Sequence, residues 1–147
     1  ALAGVPASAP LGPDPALVPV LAGRLAAAGV PAGTPVVLAA AGSRDPRAAA
    51  AARRQAELLA AHLGVPVRAA FVSAARPTVA EAVTSLAGPA RQPVAVAAYL
   101  LAPGLFHGKL RSCGAAWVSD PLGGHPAVAR LVLERFRSAR ASAAAPA

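Results

Sequence analysis

Aromatic side chains make up only 3% of this 147-residue sequence, which excludes the base-stacking platform that holds single-stranded nucleic acid. Cysteine occurs once, at Cys113, so no internal disulfide framework can form, and a reducing, cytoplasmic setting is expected. Long apolar runs are missing too. Although 56% of the residues are hydrophobic and the mean hydropathy is +0.53, alanine supplies much of this. No uninterrupted run approaches the roughly 18 to 20 residues of a membrane-crossing helix, so a soluble protein with no membrane partner is expected. The first basic residue is Arg24, and the charged start of an export signal is therefore not seen. The sequence lacks an initiator methionine, as expected of a fragment of a longer chain.

Acidic residues are few, 6 against 14 basic ones, and the formal net charge is +8. Such a balance suits nucleic acid, a membrane surface or an acidic small molecule. The arginines, however, are spread from Arg24 to Arg140 rather than clustered. Solvation of an alanine-rich surface is the simpler reading and an anionic small molecule the sharper one; no nucleic-acid partner is expected.

What the sequence does contain is a regular alternation of apolar runs and helical patterns. Val36 to Pro46 reads as a buried strand, a tight turn at Gly42, and a helix start in which Asp45 is the N-cap and Pro46 the first helical residue. That helix runs to about Leu63, with Ala52, Ala56, Leu59 and Leu63 on one side, and stops at Gly64. Pro66 to Val72 is a second strand. Thr78 and Glu81 form a capping box, after which Val79, Val83 and Leu86 carry the inner face of a helix ending near Gly88. Pro93 to Leu101 is a third strand, followed by a short helix near Leu105 to Arg111, a fourth strand around Ala115 to Ser119, and a helix from Pro126 to about Arg140. Residues 141–147 read as a disordered tail. Upstream, Asp14-Pro15 opens a helix to about Ala28, with Leu17, Leu21 and Leu25 on one face and a frayed first turn at Pro19. Apolar strands alternating with helices predict an α/β fold, a three-layer α/β/α arrangement on a four-stranded parallel sheet, plus an extra N-terminal helix. In such sheets ligands bind at the carboxyl ends of the strands, which directs attention to residues 42–45, where free helix N–H groups suit an anion.

The sequence also repeats itself. Pro10-Leu11-Gly12-Pro13-Asp14-Pro15-Ala16 recurs as Pro121-Leu122-Gly123-Gly124-His125-Pro126-Ala127, and the match extends from Ser8 with Ser119 to Arg24 with Arg135 at a constant offset of 111 residues. Residues 1–33 are therefore expected to be the closing segment of a preceding copy or a linker helix, and residues 34–140 a complete domain.

Three stretches resemble the class II chelatases, the CbiX/SirB-type enzymes that insert cobalt or ferrous iron into sirohydrochlorin. Gly42-Ser43-Arg44-Asp45-Pro46 resembles the end of that family's first-strand motif Gly-His-Gly-Ser-Arg-Asp-Pro; Phe71 to Ala82 resembles its second-strand and capping region; Tyr99 to Gly104 resembles the turn after its third strand. The resemblance implies a chelatase of the sirohaem or cobalamin pathways. It further implies no tightly bound cofactor, Co2+ or Fe2+ as the substrate metal, a tetrapyrrole partner, and a preceding homologous domain or second chain. Gly42, Ser43, Arg44, Arg76 and Gly104 then become substrate-binding candidates. Insertion needs neutral imidazole to hold the metal and groups that accept the pyrrole protons. Yet Ala41 stands where the first motif has histidine, Ser73 and Arg76 at the family's acidic positions near the second strand, and Phe106 at the second histidine position. His107, one residue later, is the remaining candidate for catalysis and metal binding. The pattern implies the catalytically reduced second domain of a double-length chelatase, or a non-catalytic tetrapyrrole- or anion-binding module. The other reactive side chains read more simply: His62 supports a helix end, His125 is an N-cap, and Cys113 is a small core residue.

Overall fold

The computed structural model describes residues 7–144. In chain order these form α1 (Val18–Ala27), β1 (Val36–Ala40), α2 (Pro46–Leu63), β2 (Val67–Phe71), α3 (Val79–Ala87), β3 (Ala95–Tyr99), α4 (Leu105–Lys109), β4 (Trp117–Val118) and α5 (Pro126–Ala144). Single 3-10 turns, Pro15–Leu17 and Leu110–Ser112, precede α1 and follow α4. The expected chemistry sets the boundaries. Asp45 caps α2, and Gly64 ends it in the left-handed conformation at φ 67°. Thr78 and Glu81 make the reciprocal capping box of α3.

The strands are all parallel, in the order β2-β1-β3-β4. Winding runs from β1 outward to β2 and from β3 outward to β4, so the crevice between the carboxyl ends of β1 and β3 is the topological switch point. Side chains alternate between two separate cores. Val36, Leu38, Ala95, Ala97 and Phe71 face α1, α2 and the start of α5, whereas Val37, Ala39, Val96 and Ala98 face α3 and Leu110. The three-layer α/β/α architecture with an additional N-terminal helix is therefore present.

Four details depart from the sequence reading. The first turn of the leading helix is 3-10 rather than frayed α-helix, with the Asp14 carboxylate accepting from the Ala16 N–H at 2.8 Å. β3 ends at Tyr99, leaving Leu101 exposed, and β4 is only two residues long because its pairing with β3 is confined to Trp117 and Val118. The closing helix continues past Arg140 to Ala144, since Ala-Ser-Ala-Ala offers good helix formers and no breaker; residues 145–147 of the expected tail lie outside the described residues. Finally, α1 is integral to the packing: Leu17, Val20, Leu21 and Leu25 are no more than 4% exposed and share a core with β1 and β3.

Candidate functional site

The parallel register sets Ala40 directly between Phe71 and Tyr99 at the carboxyl end of the sheet. These three residues belong to one face and border a cavity of about 790 Å³. Ala48, Ala51 and Ala52 of α2 line it as well, and their short side chains leave the space a larger residue would fill. Pro10 and Gly12 of the segment before α1 add another wall. Polar groups come from Ser8, Ser43, Asp45 and Arg47, with the Tyr99 hydroxyl. Gly12 is required by close approach, because a Cβ there would lie 1.8 Å from the Tyr99 hydroxyl oxygen. Burial, reinforced by the negative charge of Asp14, pushes the Tyr99 phenol up to about 12, so it stays a neutral donor and acceptor across the physiological range.

The turn between β1 and α2 is locked from within. Gly42 has φ +98°, and a Cβ on it would meet the Ser73 carbonyl oxygen at 1.7 Å, so only glycine fits. This approach lets the backbone N–H and hydroxyl of Ser73 both donate to the Ala41 carbonyl, at 3.0 and 3.1 Å. Ala41 and Ser73 are thus neighbours, and neither can ligate a metal as imidazole or carboxylate would. The free N–H groups expected for an anion at the start of α2 are already engaged. Asp45 N–H donates to Ser43 Oγ, Pro46 has no N–H, Arg47 N–H donates to Asp45 Oδ1, and Ala48 N–H donates to the Asp45 carbonyl. The Asp45 carboxylate takes the place of an external anion. Hydrogen bonds from the Arg47 side chain hold its pKa below the usual carboxylate value.

The remaining candidates are placed separately. Arg44 is exposed and Gly104 sits at the exposed start of α4. Arg76, expected to meet a substrate carboxylate, is ion-paired with Glu81, whose other oxygen accepts the Thr78 N–H. The Glu81 pKa is lowered first by that backbone bond and further by Arg76. His107 is half-buried, with Nε2 3.1 Å from the Ser119 carbonyl oxygen. Of the six candidates, Gly42 and Ser43 border the cavity, whereas Arg44, Arg76, Gly104 and His107 are not among its lining residues. Among the described residues, no three His, Cys, Asp or Glu side chains converge as a metal-binding group. His125 accepts the Ala127 N–H on Nδ1 at 3.1 Å, which is N-cap geometry; His62 is exposed in the last turn of α2, and Cys113 packs against the α3-side core.

Sequence reasoning overlooked two features. Phe71 and Tyr99 become cavity walls only through strand register. Gln55, fully buried, accepts the Asp14 N–H at 2.7 Å and donates to the Asp14 carbonyl at 3.2 Å, fixing the segment before α1 against α2. Its position three residues after Ala52 and four before Leu59 was the available signal for the latter, since it puts a polar residue on the apolar face.

Comparison with known proteins bears on this arrangement. Searching the curated proteins gives no match. Among solved structures, SirB from Bacillus subtilis with Fe3+ superposes with a TM-score of 0.79 at 27% identity, covering 92% of this chain and 57% of that one. The sirohydrochlorin chelatase SirB from Bacillus subtilis subspecies spizizenii, in complex with cobalt, shares the fold with a TM-score of 0.69 at 22% identity, covering 90% of this chain and 53% of that one. The chain thus spans little more than half the length of these solved chains. No helix among the described residues is long and apolar enough to cross a membrane. The CbiX family model matches residues 35–139, which takes in the whole sheet and the turn at Gly42, and the chain belongs to this family of class II chelatases.

Proposed function

We propose that this chain is the catalytically reduced, supporting part of a double-length sirohydrochlorin chelatase that inserts cobalt or ferrous iron into a tetrapyrrole in sirohaem or cobalamin biosynthesis. Ala41 is the observation that carries this reading. At the switch point of a chelatase sheet it supplies a methyl group, and its neighbour Ser73 supplies a hydroxyl already donated to the Ala41 carbonyl. Neither group holds a metal while pyrrole protons depart, nor accepts those protons. His107 has one ring nitrogen on the Ser119 carbonyl; with the proton on Nε2, only Nδ1 is left as a lone-pair donor. In this reading residues 1–33 are, by their place in the sequence repeat, the closing segment of a preceding homologous domain, with α1 packed on this one, and residues 34–140 form the supporting domain, in the cytoplasm. The macrocycle's carboxylates meet Arg44 and, after it leaves Glu81, Arg76, while Gly42, Ser43 and Gly104 let it approach the backbone.

The cavity favours a second reading, a module that binds a tetrapyrrole or another anion without reacting it. Its Phe71 and Tyr99 walls suit a flat conjugated ring, and Arg47, once it leaves Asp45, offers charge at its edge. One experiment separates the readings: cobalt or ferrous insertion into sirohydrochlorin, followed by absorbance, for this chain and its His107→Ala variant. The supporting role predicts no turnover by either protein. Turnover abolished in His107→Ala overturns it and gives the chain its own centre. Tight binding of the macrocycle without turnover favours the second reading.

A further inference from the structure

Neighbouring residues of a strand leave opposite faces of a sheet, and at the end of β1 this separates two environments. Ala40 packs with Phe71 and Tyr99 on the side of α1 and α2 and borders the cavity of about 790 Å³. Ala41 packs against the other core, the one that holds Val72 and Cys113 on the α3 side, and is not a lining residue. The cavity and the position where the chelatase motif has histidine are therefore on opposite faces, with the backbone of β1 between them.

Shape and charge narrow what the cavity takes. Phe71, Ala40 and Tyr99 stand side by side on three adjacent strands, a floor about 10 Å wide at the usual strand spacing. Ala48, Ala51 and Ala52 of α2 stand over the same face and keep the space above that floor clear. The volume falls within the roughly 300–1,000 Å³ of small-molecule sites. Charge is scarce. Among the described residues that line the cavity Arg47 is the one cation, and its guanidinium is spent on the Asp45 carboxylate at 3.0 Å, so the pair is neutral. At the inner end the negative charge of Asp14 reaches Tyr99 and opposes a second negative charge there. The carboxylates of a tetrapyrrole macrocycle would meet no free counter-charge, a costly form of burial. One polar group does remain for a ligand. Burial and the Asp14 charge hold the proton on the Tyr99 phenol, and no hydrogen bond to a described residue shares in this, so its O–H is free to donate into the cavity.

We propose that this cavity binds an uncharged, flat heteroaromatic molecule of two or three fused rings, laid on the row of Phe71, Ala40 and Tyr99. A ring carbonyl or ring nitrogen of the ligand accepts the hydrogen bond of the Tyr99 hydroxyl. This rests on the reading of the chain as a module that binds without reacting, and it narrows the ligand of that module from a macrocycle or an anion to a small neutral ring. It also sets the ligand across the sheet from Ala41, so that whatever approaches that position leaves the cavity unoccupied.

The probe is acridone, an uncharged fused tricycle with one carbonyl and its own fluorescence, titrated with this chain at neutral pH. A saturable one-to-one change in its emission is expected. Ala51→Leu, which puts a branched side chain into the cavity, weakens binding roughly tenfold or more. Ala48→Leu, at the exposed edge of the same wall, acts in the same direction and serves if Ala51→Leu fails to fold. Tyr99→Phe keeps the ring but removes the donor, and weakens acridone about three- to tenfold, the worth of one neutral hydrogen bond. Ala50→Leu, exposed on α2 and outside the cavity, stays within about twofold. Sirohydrochlorin added to the complex leaves the acridone signal in place. Absence of saturable binding, or binding indifferent to both leucine variants, overturns the proposal; the reading as a non-reacting module then stands if sirohydrochlorin binds and falls with it if sirohydrochlorin does not. Competitive displacement of acridone by sirohydrochlorin gives the cavity to the macrocycle, which overturns the ligand class and leaves that reading intact.

Discussion

Replacing Gly42 with alanine tests how the switch-point turn is held. The new Cβ would sit 1.7 Å from the Ser73 carbonyl oxygen, where contacts below 3.0 Å are essentially never found, so one strand end has to retreat by more than an ångström. The bonds at stake are those from the Ser73 N–H and hydroxyl to the Ala41 carbonyl, and that from the Ala75 N–H to the Ser73 carbonyl at 2.8 Å. Each is worth about 1 kcal/mol net, and a methyl-bearing residue at φ +98° costs roughly 1–2 kcal/mol more, so a loss of about 4–5 kcal/mol is expected. For a chain of this size that lowers the Tm by roughly 10–20 °C. Thermal unfolding followed by circular dichroism measures it, with Gly124→Ala as control, because nothing lies within 4 Å of a Cβ at Gly124. A Gly42→Ala variant within about 1 kcal/mol of the parent in denaturant titration would refute the steric argument.

Gln55→Leu removes both partners of the Asp14 backbone and is expected to cost about 2–3 kcal/mol, read from the urea midpoint; an unchanged midpoint would mean water replaces the amide without loss. Leu21→Ala, at a fully buried position, should destabilise by about 2–5 kcal/mol, whereas Leu133→Ala, 51% exposed, should stay within about 0.5 kcal/mol in the chain alone; similar effects at the two sites would contradict the packing of α1. Tyr99 is the single tyrosine, so tyrosinate absorbance reports it without ambiguity. The folded protein should titrate near pH 12 and the urea-unfolded protein near the ordinary tyrosine value of 10.0. Because the phenol's pKa is raised by folding, its contribution to stability is complete below pH 10 and is lost as pH rises from there through 12. A midpoint near 10 in the folded state would show that the ring is open to water.

Local signals carried most of the architecture. Asp45-Pro46, Gly64, and Thr78 with Glu81 mark helix ends through groups within four residues of each other, and each acts in the fold as its chemistry requires. Strand length was less legible. Ala115 to Ser119 looks like a full strand, yet an edge strand extends only as far as its one neighbour pairs with it; the register with β3 takes in Trp117 and Val118, and of the backbone beyond them only the Ser119 N–H, donating to the Val96 carbonyl at 2.9 Å, reaches the backbone of β3. At the site, the turn at Gly42 could be read from its motif, whereas the occupancy of its donors could not. That the Asp45 carboxylate fills its own helix start, and that Arg76 meets Glu81, follow from how the turns fold back, not from spacing. The Phe71, Ala40 and Tyr99 row required strand order and register together. The clasp between Gln55 and Asp14 joins residues 41 apart in sequence, beyond the reach of any window.

The position of α1 means that the unit that is inherited and the unit that folds have different borders. Family likeness begins at residue 35, but the sheet at that point is already roofed by side chains that come before it. Leu17, Val20, Leu21 and Leu25 each contribute about 1.5–3 kcal/mol by leaving water, a total on the scale of the whole stability of a domain this size. A fragment cut at the limits of family likeness would therefore begin life unroofed, with an oily sheet face open to any passing chain. The useful place to cut lies ahead of Asp14, whose cap opens the helix that roofs the sheet.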